Sequence, residues 1–202
     1  MYIETERLII RDLTEKDAEA LLEIKYDEQV MKYNPTFIER DVTEIDINSI
    51  KNRYFAICLK ESGVVIGTIT VDYLDYLYEH QMGWNMNGKY TGKGYASEAG
   101  AAVSDYLLET LSLDYMSVVM DVDNPASFRT AQKSGFKLFE KRVPYDYFYR
   151  TCGDEDHEAV GKHFAINQAG VGGNYYYFRK FNKNSKTKCR FYGDTAYNGR
   201  FS

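Results

Sequence analysis

The stretch Lys89-Tyr90-Thr91-Gly92-Lys93-Gly94-Tyr95-Ala96 constrains this chain more than any other. It opens a segment reaching Leu111 in which Tyr95, Ala99, Ala102, Val103, Tyr106 and Leu107 recur at helical spacing, so the helix packs one face on a sheet. Two glycines one residue apart let the backbone turn tightly with its N–H groups facing one point. The helix after them adds unpaired N-terminal amides and the positive end of its dipole, a combination suited to phosphate or pyrophosphate. A lone Gly-x-Gly also serves any tight helix entry, so its meaning depends on the residues downstream of that helix.

About thirty residues on, Tyr115 to Val122 reads as a strand from its β-branched run. Asn124-Pro125-Ala126-Ser127 then reads as a helix start, with Asn124 as N-cap and Pro125 where no N–H donor is needed. Lys133-Ser134-Gly135-Phe136 ends that helix, Gly135 fitting the left-handed position. A strand over about His80 to Met86 precedes the loop. The order is strand, glycine loop, helix, strand, short helix, strand.

Lys89-x-x-Gly92-x-Gly94, Asn124-x-x-Ser127 and Lys133-x-Gly135-Phe136 resemble the GNAT superfamily of acyl-CoA-dependent N-acyltransferases. Glu4-Thr5-Glu6-Arg7-Leu8, Met82-Gly83-Trp84 and Gly94-Tyr95-Ala96-Ser97-Glu98-Ala99 are similar to its branch of ribosomal-protein N-terminal acetyltransferases. The resemblance spans roughly Glu4 to Val143. It implies an α/β fold with a mixed, mostly antiparallel sheet, helices on both sides and one splayed parallel strand pair. It implies acetyl-CoA as donor, its pyrophosphate held by the loop from Lys89 through Thr91, Gly92, Lys93, Gly94, Tyr95 and Ala96. Pantetheine is expected along Met82, Gly83, Trp84, Asn85 and Met86, with Asn124, Ser127 and Lys133 also at the cofactor. Asn124 can equally be a helix cap alone.

The chain departs from the family's pattern in two ways. Lys89 and Thr91 stand where Gln or Arg is frequent, which keeps the amide cradle but removes guanidinium forks. Ala131 occupies the position where many relatives carry a tyrosine that can protonate the leaving thiolate. Candidate catalytic groups are therefore Glu79 as base, with Asp121, Asp123 and His80 as second choices, and Ser127 or Tyr145 on the acid side (Tyr147 is an equivalent phenol). A solvent-facing strand-edge carboxylate is the plain alternative for Glu79. Cys152, His157 and His163 lack the paired short spacing of zinc ligands, so no metal is expected.

Further strands are expected over Arg7–Arg11, Tyr54–Leu59 and Val64–Tyr73, with helices after Thr14 and between Asp41 and Lys51. Phe136–Val143 and Tyr175–Phe181 read as an antiparallel pair separated by a long insert of about 145–174. One acyltransferase domain over 1–181 with a polar, basic tail over 182–202 is expected, the tail reading as solvated rather than as a nucleic-acid arm. Three cysteines without close spacing fit a reducing cytoplasm, and no apolar run reaches membrane-spanning length. A net charge of −5 argues against nucleic acid and suits a cationic amine.

The expected function is acetyl transfer to a primary amine: a protein N-terminus, a polyamine or a small amine. The amine attacks bound acetyl-CoA directly, through a tetrahedral intermediate and without an acyl-enzyme. A coenzyme A-binding sensor or structural module is the alternative, and a binder of other nucleotides is disfavoured because no Gly-x-x-x-x-Gly-Lys-Ser/Thr occurs. The aromatics Tyr145 to Tyr149 can support a homodimer.

Overall fold

The computed structural model describes residues 1–34, 45–74, 79–142 and 175–185. Within them eight strands form one sheet in the order β1-β2-β3-β4-β5-β6-β8-β7. The strands are β1 (Tyr2–Glu4), β2 (Leu8–Asp12), β3 (Tyr54–Leu59), β4 (Val65–Leu74), β5 (Glu79–Met86), β6 (Tyr115–Asp121), β7 (Lys137–Arg142) and β8 (Tyr175–Phe181). The helices are α1 (Ala18–Lys25), α2 (Glu28–Tyr33), α3 (Ile47–Ile50), α4 (Tyr95–Thr110) and α5 (Pro125–Lys133).

Neighbouring strands from β1 to β5 pair antiparallel, as do β6 with β8 and β8 with β7. The two groups meet only at β5 and β6, which run parallel and pair at His80–Met116 and Gln81–Ser117. Beyond those pairs β5 continues to Met86 against β4, while β6 continues to Asp121 against β8. The sheet is therefore split along part of its length, as the family resemblance implies.

Strand alternation sorts the side chains onto two faces. Ile10, Ile57, Ile69, Met82, Met116, Val118 and Phe178 share a core with Ala99 and Val103 of α4 and Ala131 of α5. On the other face Ala56 and Cys58 pack with Leu13, Leu21 of α1 and Ile47 of α3.

Strand β1 and helix α2 lack a strong pattern in the sequence and are visible only in the structure. β1 is three residues long and Tyr2 is exposed, so no apolar alternation marks it. The helix expected between Asp41 and Lys51 is seen as Ile47–Ile50, and 35–44 lie outside the described residues. The same holds for the 145–174 insert, for 186–202, and with them for Tyr145, Tyr147, Cys152, His157, His163 and Cys189. Among the described residues no helix is long and apolar enough to cross a membrane.

One ion pair ties the outer sheet to α1. The Arg11 guanidinium donates to both oxygens of Asp17, at 2.7 and 2.8 Å, and Thr14 donates to the same carboxylate from its backbone N–H and its hydroxyl. Burial alone would raise the Asp17 carboxyl; the bonds from Arg11 and Thr14 outweigh it and hold the group below its ordinary value. A depressed folded value contributes stability above the unfolded value, lost as pH falls through the folded one. Asp17→Asn should lower stability at pH 7 by about 2 kcal/mol and flatten the acid limb of the unfolding curve, measured by urea titration against pH.

Candidate active site

The split opens into a cleft of about 600 Å³. One wall is β5, whose Gln81, Met82, Gly83, Trp84, Asn85 and Met86 line the space; the other is β6, through Val118, Val119, Met120 and Asp121. A strand paired on one side only presents free backbone N–H and C=O groups on the other, so each wall offers main-chain partners to an extended ligand.

The glycine loop closes the mouth. Thr91, Gly92, Gly94, Tyr95 and Ala96 line the cleft. Gly92 and Gly94 have φ of +75° and +83°, a region that favours glycine, and a Cβ at Gly92 would meet nothing within 4 Å. Gly94 is the N-cap of the 16-residue helix α4, which brings its free amides and dipole to the same point.

Three anchors hold the loop from behind. Arg7 pairs with Glu98 at 2.6 Å and donates to the Lys93 carbonyl at 3.0 Å, with its guanidinium 4.6 Å from the Tyr95 ring centre. Burial would raise the Glu98 carboxyl, but bonds from Thr5 and Arg7 keep it below its ordinary value. Asp27 caps α2 through the Gln29 amide and accepts from the Gly88 amide at 2.7 Å, which docks α2 on the loop entry. Lys89 reaches Glu23 of α1 at 2.7 Å.

Asn124 accepts from the Ser127 amide at 3.0 Å, capping α5, and it also faces the cleft. Ser127 Oγ accepts from Trp84 Nε1 at 3.2 Å, which bridges the two walls. Lys133 lines the cleft from the last turn of α5, and Arg129 lines it one turn earlier.

The expected site residues do not all fall at the lining. The side chains of Lys89 and Lys93 are not part of it: the first pairs with Glu23, and the second lies 5.5 Å from the Tyr90 ring centre. Glu79 is neither in the cleft nor facing solvent; it is 3% exposed and accepts three hydroxyl hydrogen bonds. His80 stacks on Tyr73 away from the lining, its imidazole lowered by burial. Tyr145 lies outside the described residues.

The lining also includes residues the sequence did not single out. Gln29, Tyr33 and Asn34 come from α2 and its end, Arg53 and Tyr54 from the start of β3, and Thr70 and Asp72 from β4. Thr68, Thr70 and Asp72 alternate as a polar row on one face of β4, the one signal that could have marked them. Arg53 pairs with Asp72 at 2.5 Å. Asp121 is 8% exposed, ends β6 inside the cleft, and accepts from the Asp123 amide at 2.7 Å. Among the described residues no cluster of three His, Cys, Asp or Glu could hold a metal.

Comparison with known proteins gives the class of this split sheet and its glycine loop, an acetyltransferase. The acetyltransferase (GNAT) domain family matches residues 7–137. The N-acetyltransferase YnaD of Bacillus subtilis (strain 168), itself uncharacterized, is 32% identical over 173 residues, covering 77% of this chain and 99% of YnaD. A GNAT-family acetyltransferase structure from Bacillus anthracis superposes with a TM-score of 0.70 at 28% identity, over 90% of this chain and 98% of that one. Two more distant structures share the fold. The ribosomal-protein-S5-alanine acetyltransferase of Vibrio fischeri has a TM-score of 0.63 at 16% identity, over 93% and 100% of the two chains. The spermidine N-acetyltransferase of Vibrio cholerae, solved with CoA and spermine, has 0.65 at 14%, over 88% and 96%. This chain belongs to the GNAT family and is an N-acetyltransferase.

A side chain at position 94 would be forced into the left-handed region, at a cost of about 1–2 kcal/mol. Gly94→Val should therefore raise the Michaelis constant for acetyl-CoA about tenfold, while an unchanged constant would count against the loop as the anion site.

Proposed function

We propose that this chain moves an acetyl group from acetyl-CoA to a primary amine by direct attack, with no acyl-enzyme. The observation that carries the reading is the split itself: β5 and β6 part after Gln81 and Ser117, and the Gly92-x-Gly94 cradle sits at the opening. The cradle fits the donor, since its two left-handed glycines leave their Cβ side clear of backbone and α4 supplies an N-terminus.

When bound, acetyl-CoA supplies an activated thioester. The amides of Thr91 to Ala96 and the head of α4 would hold its pyrophosphate, with Lys133 and Arg129 of α5 adding positive charge on the same wall. The free edge of β5 over Gly83–Met86 would orient the pantetheine arm and offer an N–H to the thioester carbonyl. Asn124 would hold the arm with the part of its amide that the cap does not use.

Asp121 takes the role of proton acceptor in this reading, because an ammonium nucleophile must be neutralised before attack. It is the aspartate of the cleft without an ion pair among the described residues, whereas Asp72 is engaged by Arg53. Ser127 orients rather than protonates, with its hydroxyl already accepting from Trp84. The position that carries tyrosine in many relatives is Ala131, fully buried in the core, so any phenolic acid comes from elsewhere. Tyr33 and Tyr175 line the cleft.

Cys58 is no nucleophile. It is 2% exposed on the face covered by α1, and burial pushes its thiol above the ordinary value. The acceptor classes are a protein N-terminus, a polyamine or a small amine; the fold relatives that act on a ribosomal protein or on spermidine motivate the first two.

A panel of peptides, polyamines and small amines, assayed for release of free coenzyme A from acetyl-CoA, tests the function. At least one should be turned over, and release with none of them would favour the sensor alternative. Asp121→Asn should lower kcat about 10²-fold with the acetyl-CoA constant unchanged. Cys58→Ser should leave turnover within about twofold, and loss of activity there would sink direct attack.

A further inference from the structure

Glu79 is a buried carboxylate for which the cleft has no use. It begins β5, two residues before Gln81, and Gln81 is the last β5 residue to pair with β6. Ser117 Oγ donates to Glu79 Oε1 at 2.8 Å and Tyr115 Oη to Oε2 at 3.1 Å, while Tyr177 Oη makes a short bond to the same Oε2. The acceptor belongs to the β1–β5 half of the sheet. All three donors belong to the β6–β8–β7 half.

Register explains the meeting. Ser117 pairs with Arg179 and Val119 with Tyr177, so Tyr115, Ser117, Tyr177 and Arg179 share one face of β6 and β8. The Gln81–Ser117 pair puts Glu79 on that face too, opposite the side packed by α4 and α5. Arg179 Nε donates to Tyr177 Oη at 3.0 Å. Its guanidinium lies 4.2 Å from the Tyr115 ring centre and 4.1 Å from that of Phe139. Burial raises both phenols above their ordinary value, so they stay protonated and donate. Arg179 sits one phenol away from the carboxylate and balances its charge.

Among the described residues, main-chain pairing between the two halves covers two residue pairs, both at this level. Three side-chain hydrogen bonds to one carboxylate therefore make up a large part of what joins the halves at the vertex. Removing the carboxylate would take one acceptor from the buried Ser117 and Tyr177 hydroxyls and from that of half-buried Tyr115, which is costlier than losing an exposed contact.

We propose that Glu79 is a positioning residue that pins the vertex of the split, holding β6 and β8 against the base of β5 so that the two cleft walls stand at the separation acetyl-CoA needs. The inference rests on reading the split as the acetyl-CoA cleft, and it is distinct from a role for Glu79 in proton transfer.

The test compares Glu79→Ala, Glu79→Gln, Ser117→Ala and Tyr177→Phe with the parent chain by amide hydrogen exchange without ligand, by acetyl-CoA calorimetry and by unfolding temperature. In Glu79→Ala and Tyr177→Phe, exchange at His80 to Met82 and Met116 to Val118 should quicken about tenfold while β2 and β3 keep parent rates. The acetyl-CoA dissociation constant should rise about fivefold or more, and Glu79→Gln, which keeps one acceptor oxygen, should recover part of both effects.

Exchange that quickens evenly over the sheet, or not at all at the vertex, would overturn the proposal and leave a merely structural residue. So would a Glu79→Gln variant that loses turnover with parent exchange and parent binding, since that would make Glu79 part of the chemistry. If the parent chain failed to bind acetyl-CoA, the functional reading of the cleft would fall, and the exchange data would still decide whether Glu79 pins the vertex.

Discussion

Among the described residues two pairs, His80–Met116 and Gln81–Ser117, are the main-chain pairings that join the two halves of this sheet, and the cleft depends on their being so few. Had the parallel pairing continued to Met86 and Asp121, backbone groups of β5 and β6 would have satisfied one another and no cleft would exist. Each strand instead keeps a full partner on its outer side, β4 or β8, so the walls are paired while their inner edges stay open. The space between them is stable because each wall belongs to its own well-paired half, and side chains from both halves meet at the vertex.

The glycine loop shows how a distant segment can serve a site it does not line. Thr5 and Arg7 lie more than eighty residues from Glu98, yet their donors fix that carboxylate in the first turn of α4. There it also faces the positive end of the helix dipole, where a negative charge is favoured. Arg7 then grips the Lys93 carbonyl between the two glycines. The N-terminal Glu4-Thr5-Glu6-Arg7 pattern thus has a mechanical reason: it holds the back of the cradle while the amide side stays open.

Much of the cofactor side was legible in the sequence because it is made of backbone. Left-handed glycines, an N-cap asparagine and a proline in the first turn each leave a local signature, and Gly92, Gly94, Asn124 and Pro125 all take the places those signatures imply. Other lining residues were less legible. Tyr33, Arg53 and Asp72 come from α2, the start of β3 and β4 and are brought together by the tertiary fold, which no local spacing encodes, whereas Asp121 stood among the second choices for a base. Glu79 shows the same limit from the other direction. Its place at a strand start suggested a catalytic base or a solvent-facing carboxylate, but Tyr177, ninety-eight residues away, returns in β8 to cover it. The exposed pair of Lys89 with Glu23 of α1 likewise joins residues far apart in the sequence.

Isothermal titration of the purified chain with acetyl-CoA, with ATP and NAD as controls, tests the central claim most directly. The expected result is a dissociation constant on the order of micromolar for acetyl-CoA and far weaker binding of both controls. No heat with acetyl-CoA on a folded sample, or equal binding of all three, would contradict it, because a general phosphate site would then explain the loop without the split.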